Sequence, residues 1–392
     1  MLTVPKGYLF STAEANFRYT NRDDLAIILS TEAANIGAVF TTNKFSAAPI
    51  KVARDLLKKS NYKANAILIN SGIANAGTGA LGIENCIKSL DIVGCELNIA
   101  PKSIIPASTG VIGQHFNMDA WERGAKILKE NMGKKDITHV AKAIMTTDTF
   151  PKISLKSEGD INILGIAKGS GMICPNMATM LSFLITDVEI EHNILQKILK
   201  EVVELTFNRI SVDGDTSTND CVIVMANGLS GIRISGEEFT EKFKRLMYEV
   251  CYDLAYKIVQ DAEGGTKIIH LTVKNAKTVD DARKAARAIA HSLLVKTALY
   301  GEDANWGRII AALGRSEADF QLDKVTLKIG DVVIFRYGLP VDMDIDSLAA
   351  CHLKKQDIII EVDLGEHNIS EYSMMFSDLS EEYVKINGSY RS

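Results

Sequence analysis

With 392 residues, 46% hydrophobic and 24% charged, the sequence can bury one large core or two moderate ones and shows no bias toward disorder. A net charge of −5 and a pI near 5.9 provide no basic field for a phosphate backbone, so nucleic acid is not an expected partner. No stretch approaches the ~20 apolar residues of a membrane span, and the first residues carry no secretory signal pattern. The six cysteines (Cys86, Cys95, Cys174, Cys221, Cys251, Cys351) form no C-x-x-C pair, which points away from zinc knuckles and disulfide frameworks and toward reduced thiols in a cytoplasm.

In chain order, short apolar runs bounded by Gly, Asn and Asp predict strands at Ala66 to Ile69, Leu181 to Thr186, Val222 to Ala226, Val325 to Ile329 and Ile358 to Val362. Helical periodicity marks Ile194 through Leu205 and Phe239 through Ile258, and a third helix is expected over Asp280 to Leu294, opening with acids that favour its N-terminal dipole. Strands and helices mix without strict alternation, which predicts α+β or mixed α/β layers rather than a doubly wound sheet. No repeat or Pro/Ser-rich linker marks a domain boundary.

Chemistry concentrates in KGSGMICPNMATMLSFLITD, residues 168–187, where a turn rich in small residues runs into a strand with Thr179 near the junction. Taken alone, such a Thr is far more often a β-branched strand residue than a nucleophile. It becomes reactive if the Ala178–Thr179 bond is broken, because the freed α-amine can then take the hydroxyl proton. That amine has an unperturbed pKa of roughly 7.7 to 8.0 and is partly neutral near pH 7. Attack on a carbonyl develops an oxyanion that needs waiting donors. Within PASTGVIGQ, the Thr109 hydroxyl and the Gly110 N–H are the candidates. The K-G-S-G turn lacks Walker spacing, the acids of DGDTSTND lack the EF-hand pattern, and no H-x-x-x-H pair suggests a metal. A turn network is the plainer reading of the acidic loop, and small buried side chains that of Cys174 and Cys221.

The string KGSGMICPNMATMLSF resembles the self-cleavage signature of the ornithine acetyltransferase family of arginine biosynthesis. The blocks GAVFTTNKFSAAPI (37–50), NSGIANAGTG (70–79), PASTGVIG (106–113), MTTDTFPK (145–152), SVDGDTSTND (211–220), DAEGGTK (261–267) and VKTALYGEDANWGRI (295–309) also resemble family motifs, in family order. The resemblance spans nearly the whole chain. It implies a layered fold of N-terminal-nucleophile type and a precursor cleaved into an α chain (residues 1–178) and a β chain (residues 179–392) that pair as α2β2. Ping-pong chemistry is implied as well: Thr179 takes acetyl from N-acetylornithine and passes it to glutamate. No cofactor is implied, and whether acetyl-CoA also donates is left open.

Carried over residue by residue, the resemblance makes Thr109 and Gly110 the oxyanion pair. It places Thr146, Lys168, Thr179, Glu263, Asn387 and Ser392 against substrate. Lys168 suits a carboxylate, and Glu263 suits an ornithine ammonium or a catalytic proton. The plainer readings are a solvated loop lysine, a helix C-terminal acid, turn threonines at 146 and 147, and a fraying tail at Asn387 and Ser392. The sequence departs from the family pattern at Ala304, where proline is usual, at Ser392, where threonine is common, and at MMFSD, where a Trp-Gly-Cys-Asp run is expected. A rival of similar chemistry, an N-terminal-nucleophile amidohydrolase, would let water resolve the acyl-enzyme, and a non-catalytic homologue would never be cleaved.

Overall fold

The computed structural model describes residues 4–174, 180–341, 344–366 and 370–389. Its strands are β1 (Tyr8–Ala13), β2 (Leu25–Phe40), β3 (Lys63–Asn70), β4 (Ile104–Ser108), β5 (Lys152–Glu158), β6 (Ile161–Lys168), β7 (Leu181–Thr186), β8 (Ile210–Ser211) and β9 (Cys221–Ala226). They continue as β10 (Ile268–Ala276), β11 (Thr326–Ile329), β12 (Val332–Arg336), β13 (Leu339–Pro340), β14 (Asp357–Asp363) and β15 (Ser370–Ser377). The helices are α1 (Ala48–Lys59), α2 (Gly79–Leu97), α3 (Met118–Asn131), α4 (Ile137–Ala143), α5 (His192–Leu205), α6 (Glu237–Gln260), α7 (Val279–Ala290), α8 (Leu293–Tyr300), α9 (Trp306–Gly314), α10 (Ile345–Leu353) and α11 (Glu381–Ser389). The expected mixed α/β architecture, not doubly wound, is the one observed.

Two compact units divide the chain, one from residues 1–208 with 215–258, the other from 209–214 with 259–390. In the first, the sheet order is β4-β3-β2-β9-β7-β6-β5, with β1 added to β2. The β3–β4 and β7–β9 pairs are parallel, and the remaining pairs are antiparallel. Every residue of β7 and β9 is buried, as befits central strands covered on both faces. Period-2 alternation splits β2 cleanly. Ala26 and Ile28 join the core that includes α1 and α4, while Leu25 and Ile27 join the one that includes α2 and α3. Helix α6 closes over β6 at Gly165, where an added Cβ would come within 2.8 Å of Val250 and 3.0 Å of Leu254.

The second unit has the sheet order β13-β12-β11-β14-β10-β15-β8, with α7 and α9 contributing to its core. The helix expected over 280–294 ends at Ala290 instead. His291 and Ser292 interrupt it, and the Ser292 side chain accepts from the Val295 N–H to start α8. Among the described residues no helix is long and apolar enough to cross a membrane.

Candidate active site

The turn after β4 is built to present one backbone donor. The Thr109 N–H donates to the Asn70 carbonyl (3.0 Å) and the Val111 N–H to the Gly72 carbonyl (3.1 Å), whereas the Gly110 N–H between them has no acceptor among the described residues. Gly110 sits at φ 129°, and a Cβ there would lie 2.2 Å from the Gly72 carbonyl carbon, so only glycine fits. Buried amides fix the turn: Ser108 Oγ donates to Asn70 Oδ1 (2.6 Å), and Asn219 Nδ2 donates to the carbonyls of Ala74 (2.6 Å) and Ser108 (3.0 Å). These neutral bonds hold the donor in place at low electrostatic cost.

Lys168, the last residue of β6, reaches this turn and donates from Nζ to Thr109 Oγ1 (3.2 Å). An ammonium on the oxygen leaves the Thr109 hydroxyl proton to point elsewhere, so hydroxyl and Gly110 N–H can serve one anion. Behind Lys168 lies a buried ion pair. Asp148 Oδ1 accepts from Lys152 Nζ (2.7 Å) and the Gly169 N–H (2.7 Å), and its Oδ2 accepts from the Thr146 N–H (3.0 Å). Burial acts to raise the Asp148 pKa, but the Lys152 and Lys168 charges with the Gly169 N–H outweigh it and hold the group at about 2. Thr147 and Ser170 share a hydroxyl bond (2.7 Å), which ties the TTDT turn to the KGSG turn.

Ala178 and Thr179, the expected scissile pair, lie outside the described residues, but both flanks of 175–179 are pinned to one segment. Upstream, Ile173 bridges to Thr216, whose hydroxyl donates to the Cys174 carbonyl (2.9 Å). Downstream, the Cys221 N–H donates to the Met180 carbonyl (3.0 Å) where β7 and β9 start in register, Leu181 opposite Cys221. Between these anchors Asp220 is buried at 3% exposure, and its Oδ2 has no hydrogen-bond partner among the described residues. Burial drives its pKa well above the carboxylate range, against the Ser217 hydroxyl, the Lys168 charge and the amides of Ser217 and Met180. Cys174 and Cys221 are buried thiols, and burial pushes the Cys221 pKa up.

In the second unit, Glu263 lies three residues past α6, not at the helix terminus, and is buried. Asn387 on α11 donates from Nδ2 to Glu263 Oε2 (2.8 Å) and to the Tyr383 carbonyl (3.1 Å), a pairing the sequence had not suggested. The loop is clamped from the atypical MMFSD segment: Asp378 accepts from the Thr266 N–H (2.8 Å), the Thr266 hydroxyl (2.5 Å) and the Lys267 N–H (3.0 Å). Lys267 in turn bonds Glu302 (2.7 Å) in the GEDANWGR block. Gly264, at φ 67°, packs where a Cβ would lie 2.5 Å from the Tyr383 nitrogen.

The structure thus joins Thr109, Gly110 and Lys168 in one unit, with Thr146 on the adjoining Asp148 turn, and Glu263 with Asn387 in the other. Ser392 lies outside the described residues. Residues missed from sequence are Asn70, Asp148, Lys152, Asn219, Asp220 and Asp378. All but Asp378 lie inside the blocks quoted for the resemblance, and the signal available was an acid or amide set among small turn residues. Comparison with known proteins fits these features. The ArgJ family model matches residues 9–392. The arginine biosynthesis bifunctional protein ArgJ of Nitratidesulfovibrio vulgaris is 45% identical, with all of both chains covered. That of Caldanaerobacter subterraneus is 46% identical, covering 100% of this chain and 98% of its own. The crystal structure of arginine biosynthesis bifunctional protein ArgJ from Bacillus halodurans aligns at a TM-score of 0.51 and 39% identity, covering 54% of this chain and 100% of that chain. With its motifs in order and its full length matched, the chain belongs to the ArgJ family.

Proposed function

We propose that this chain is an acetyltransferase of arginine biosynthesis that cuts itself between Ala178 and Thr179 and moves acetyl from N-acetylornithine to glutamate through an ester on Thr179. In the first step the Thr179 hydroxyl attacks the Ala178 carbonyl and the C–N bond breaks, which leaves an ester on Thr179 and frees its α-amine; water then hydrolyses the ester, releasing the Ala178 carboxylate and the Thr179 hydroxyl. That amine then deprotonates the hydroxyl for attack on the substrate amide. Ornithine leaves with a proton, and glutamate's amine takes the acetyl. The observation that carries the reading is the donor pair: a Gly110 N–H without a described acceptor beside a Thr109 hydroxyl whose oxygen Lys168 already occupies. A second observation supports cleavage. The solved Bacillus halodurans chain corresponds in full to 54% of this chain, close to the share taken by residues 179–392.

In this reading Thr146, Lys168, Glu263, Asn387 and Ser392 contact substrate, with Glu263 matched to the ornithine ammonium. The fragments stay together as α2β2 in the cytoplasm, without a resident cofactor. The relatives are named bifunctional, which supports acetyl-CoA as a second acetyl donor to glutamate. Denaturing electrophoresis tests the core of the proposal. Wild type gives two fragments, and Thr179→Ala gives a single band near 42.8 kDa with no transfer. A Thr179→Ala chain cleaved at this bond overturns it, and acetate release unaffected by glutamate makes the protein a hydrolase instead. Glu263→Ala is expected to lower turnover and leave both fragments present; one uncleaved band assigns Glu263 to maturation.

A further inference from the structure

The loop between β1 and β2, residues 14–24, takes no part in that scheme, yet it touches both turns of the site. Its base is fixed by Asp24: the carboxylate accepts from the N–H groups of Ala15 (2.8 Å) and Phe17 (2.7 Å), and the backbone carbonyl accepts from the Ser71 N–H (2.9 Å). The Phe17 ring packs against Trp121 with centroids 4.8 Å apart, so the loop is anchored at its base and near its middle. What it presents is a stacked pair. The Tyr19 ring lies against Gly72, where an added Cβ would come within 3.3 Å of Tyr19 Cε2, and the Arg22 guanidinium carbon sits 4.3 Å from the centre of that ring. From there Arg22 Nη2 donates to the Met145 carbonyl (2.6 Å). The peptide unit joining Met145 to Thr146 is thereby held from both sides, its carbonyl by Arg22 and its N–H by Asp148 Oδ2 (3.0 Å). Two charge-assisted bonds on one peptide leave it little freedom to rotate, and they set the direction in which Thr146 leaves the main chain. Gly72, the loop's other contact, accepts from the Val111 N–H and flanks the Gly110 donor, so one short loop spans the oxyanion turn and the Thr146 turn. The Tyr19 hydroxyl is buried with no hydrogen-bond partner among the described residues, which leaves the ring as the working part.

We infer that Arg22 is a positioning residue: seated on the Tyr19 ring, it locks the Met145–Thr146 peptide and so aims Thr146 at the substrate. The inference rests on Thr146 contacting N-acetylornithine in the proposed reaction.

The test reads kcat and KM from ornithine release by the full-length protein given N-acetylornithine and glutamate, with cleavage followed by electrophoresis. Arg22→Ala should cleave normally, raise KM about tenfold and keep kcat within about twofold of wild type, because what it loosens is a substrate contact. Arg22→Lys, which can still donate to the Met145 carbonyl, should return KM to within about threefold. A variant carrying both Arg22→Ala and Thr146→Ala should be no worse than Thr146→Ala alone, since the two changes remove one contact. Tyr19→Phe should match wild type. A wild-type KM in Arg22→Ala overturns the inference, as does a fall in kcat with KM unchanged, an uncleaved Arg22→Ala chain, no recovery in Arg22→Lys, or a loss in Tyr19→Phe. So does a double variant in which the two effects simply multiply, the outcome expected of a merely structural role. Should Arg22→Ala fail to fold, Arg22→Met, which keeps the stem packed on the ring, takes its place in the same cycle. If wild type yields acetate in place of N-acetylglutamate, the transferase reading fails while the KM values still judge Arg22; if it releases no ornithine, both fall.

Discussion

Segments 146–152 and 217–220 each bury one aspartate within reach of the Lys168 charge, and the two carboxyls are driven in opposite directions. Asp148 accepts from a buried ammonium and two backbone amides, using both oxygens. Among the described residues Asp220 forms no ion pair, and one of its oxygens is unpartnered. Burial costs both about alike, so what separates them is a full charge at hydrogen-bond distance. Two buried aspartates that both feel the Lys168 charge can thus be driven apart by whether an ammonium stands at hydrogen-bond distance, and the one that has it supports the KGSG turn.

Removing the cation should break this contrast most severely. Lys152→Met leaves Asp148 buried without its ion partner and is expected to cost about 3–5 kcal/mol, read as a lowered urea midpoint. An unchanged midpoint would mean that the pair does not set the difference. Acid gives a smaller effect. The folded Asp148 pKa is depressed from 3.8 to about 2, so its stability contribution is complete above the unfolded value and is lost as pH falls from about 4 toward 2, worth about 2 kcal/mol. The urea midpoints of wild type and Asp148→Asn should therefore converge across that range, and a constant gap would contradict it. Smallest is the reverse slope at Asp220. Its folded pKa is raised, so the wild-type contribution is complete below the ordinary aspartate pKa and is lost as pH rises. Thermal midpoints should then shift in favour of Asp220→Asn as pH rises above the ordinary aspartate range, and a pH-independent difference would contradict a raised Asp220 pKa.

The sequence displayed β7, β9 and β14 well, because each is an apolar run between turn residues and needs no distant partner to be seen. Helices α5 and α6 were equally plain from their period. The sixteen-residue β2 was not, since the polar stretch Ser30–Glu32 interrupts its pattern and its register against β3 shifts between Leu29 and Ala34. The His291–Ser292 break was missed for a similar reason: a serine N-cap inside a helical period looks like one more polar position. At the site, Thr109, Gly110 and Lys168 were legible through motif resemblance. Asn219 and Asp220 read as an ordinary acidic turn, because what distinguishes them lies on Ala74, Ser108 and Met180, brought close only by the sheet. Asp378 was hidden by the unusual residues before it, although it does the clamping that segment is needed for.

The order β2-β9-β7-β6 has a further consequence. The bond after residue 178 lies between β6 and β7, so a cut there places β7 and β9 on one polypeptide and their outer neighbours β6 and β2 on the other. The two pieces would be interleaved like fingers of folded hands, each ladder at their boundary made of main-chain bonds laid down before the cut. Separating them would require unzipping the middle of a sheet rather than parting two surfaces. Dilution alone should therefore not dissociate them, and each piece made on its own would lack the strands that complete its core.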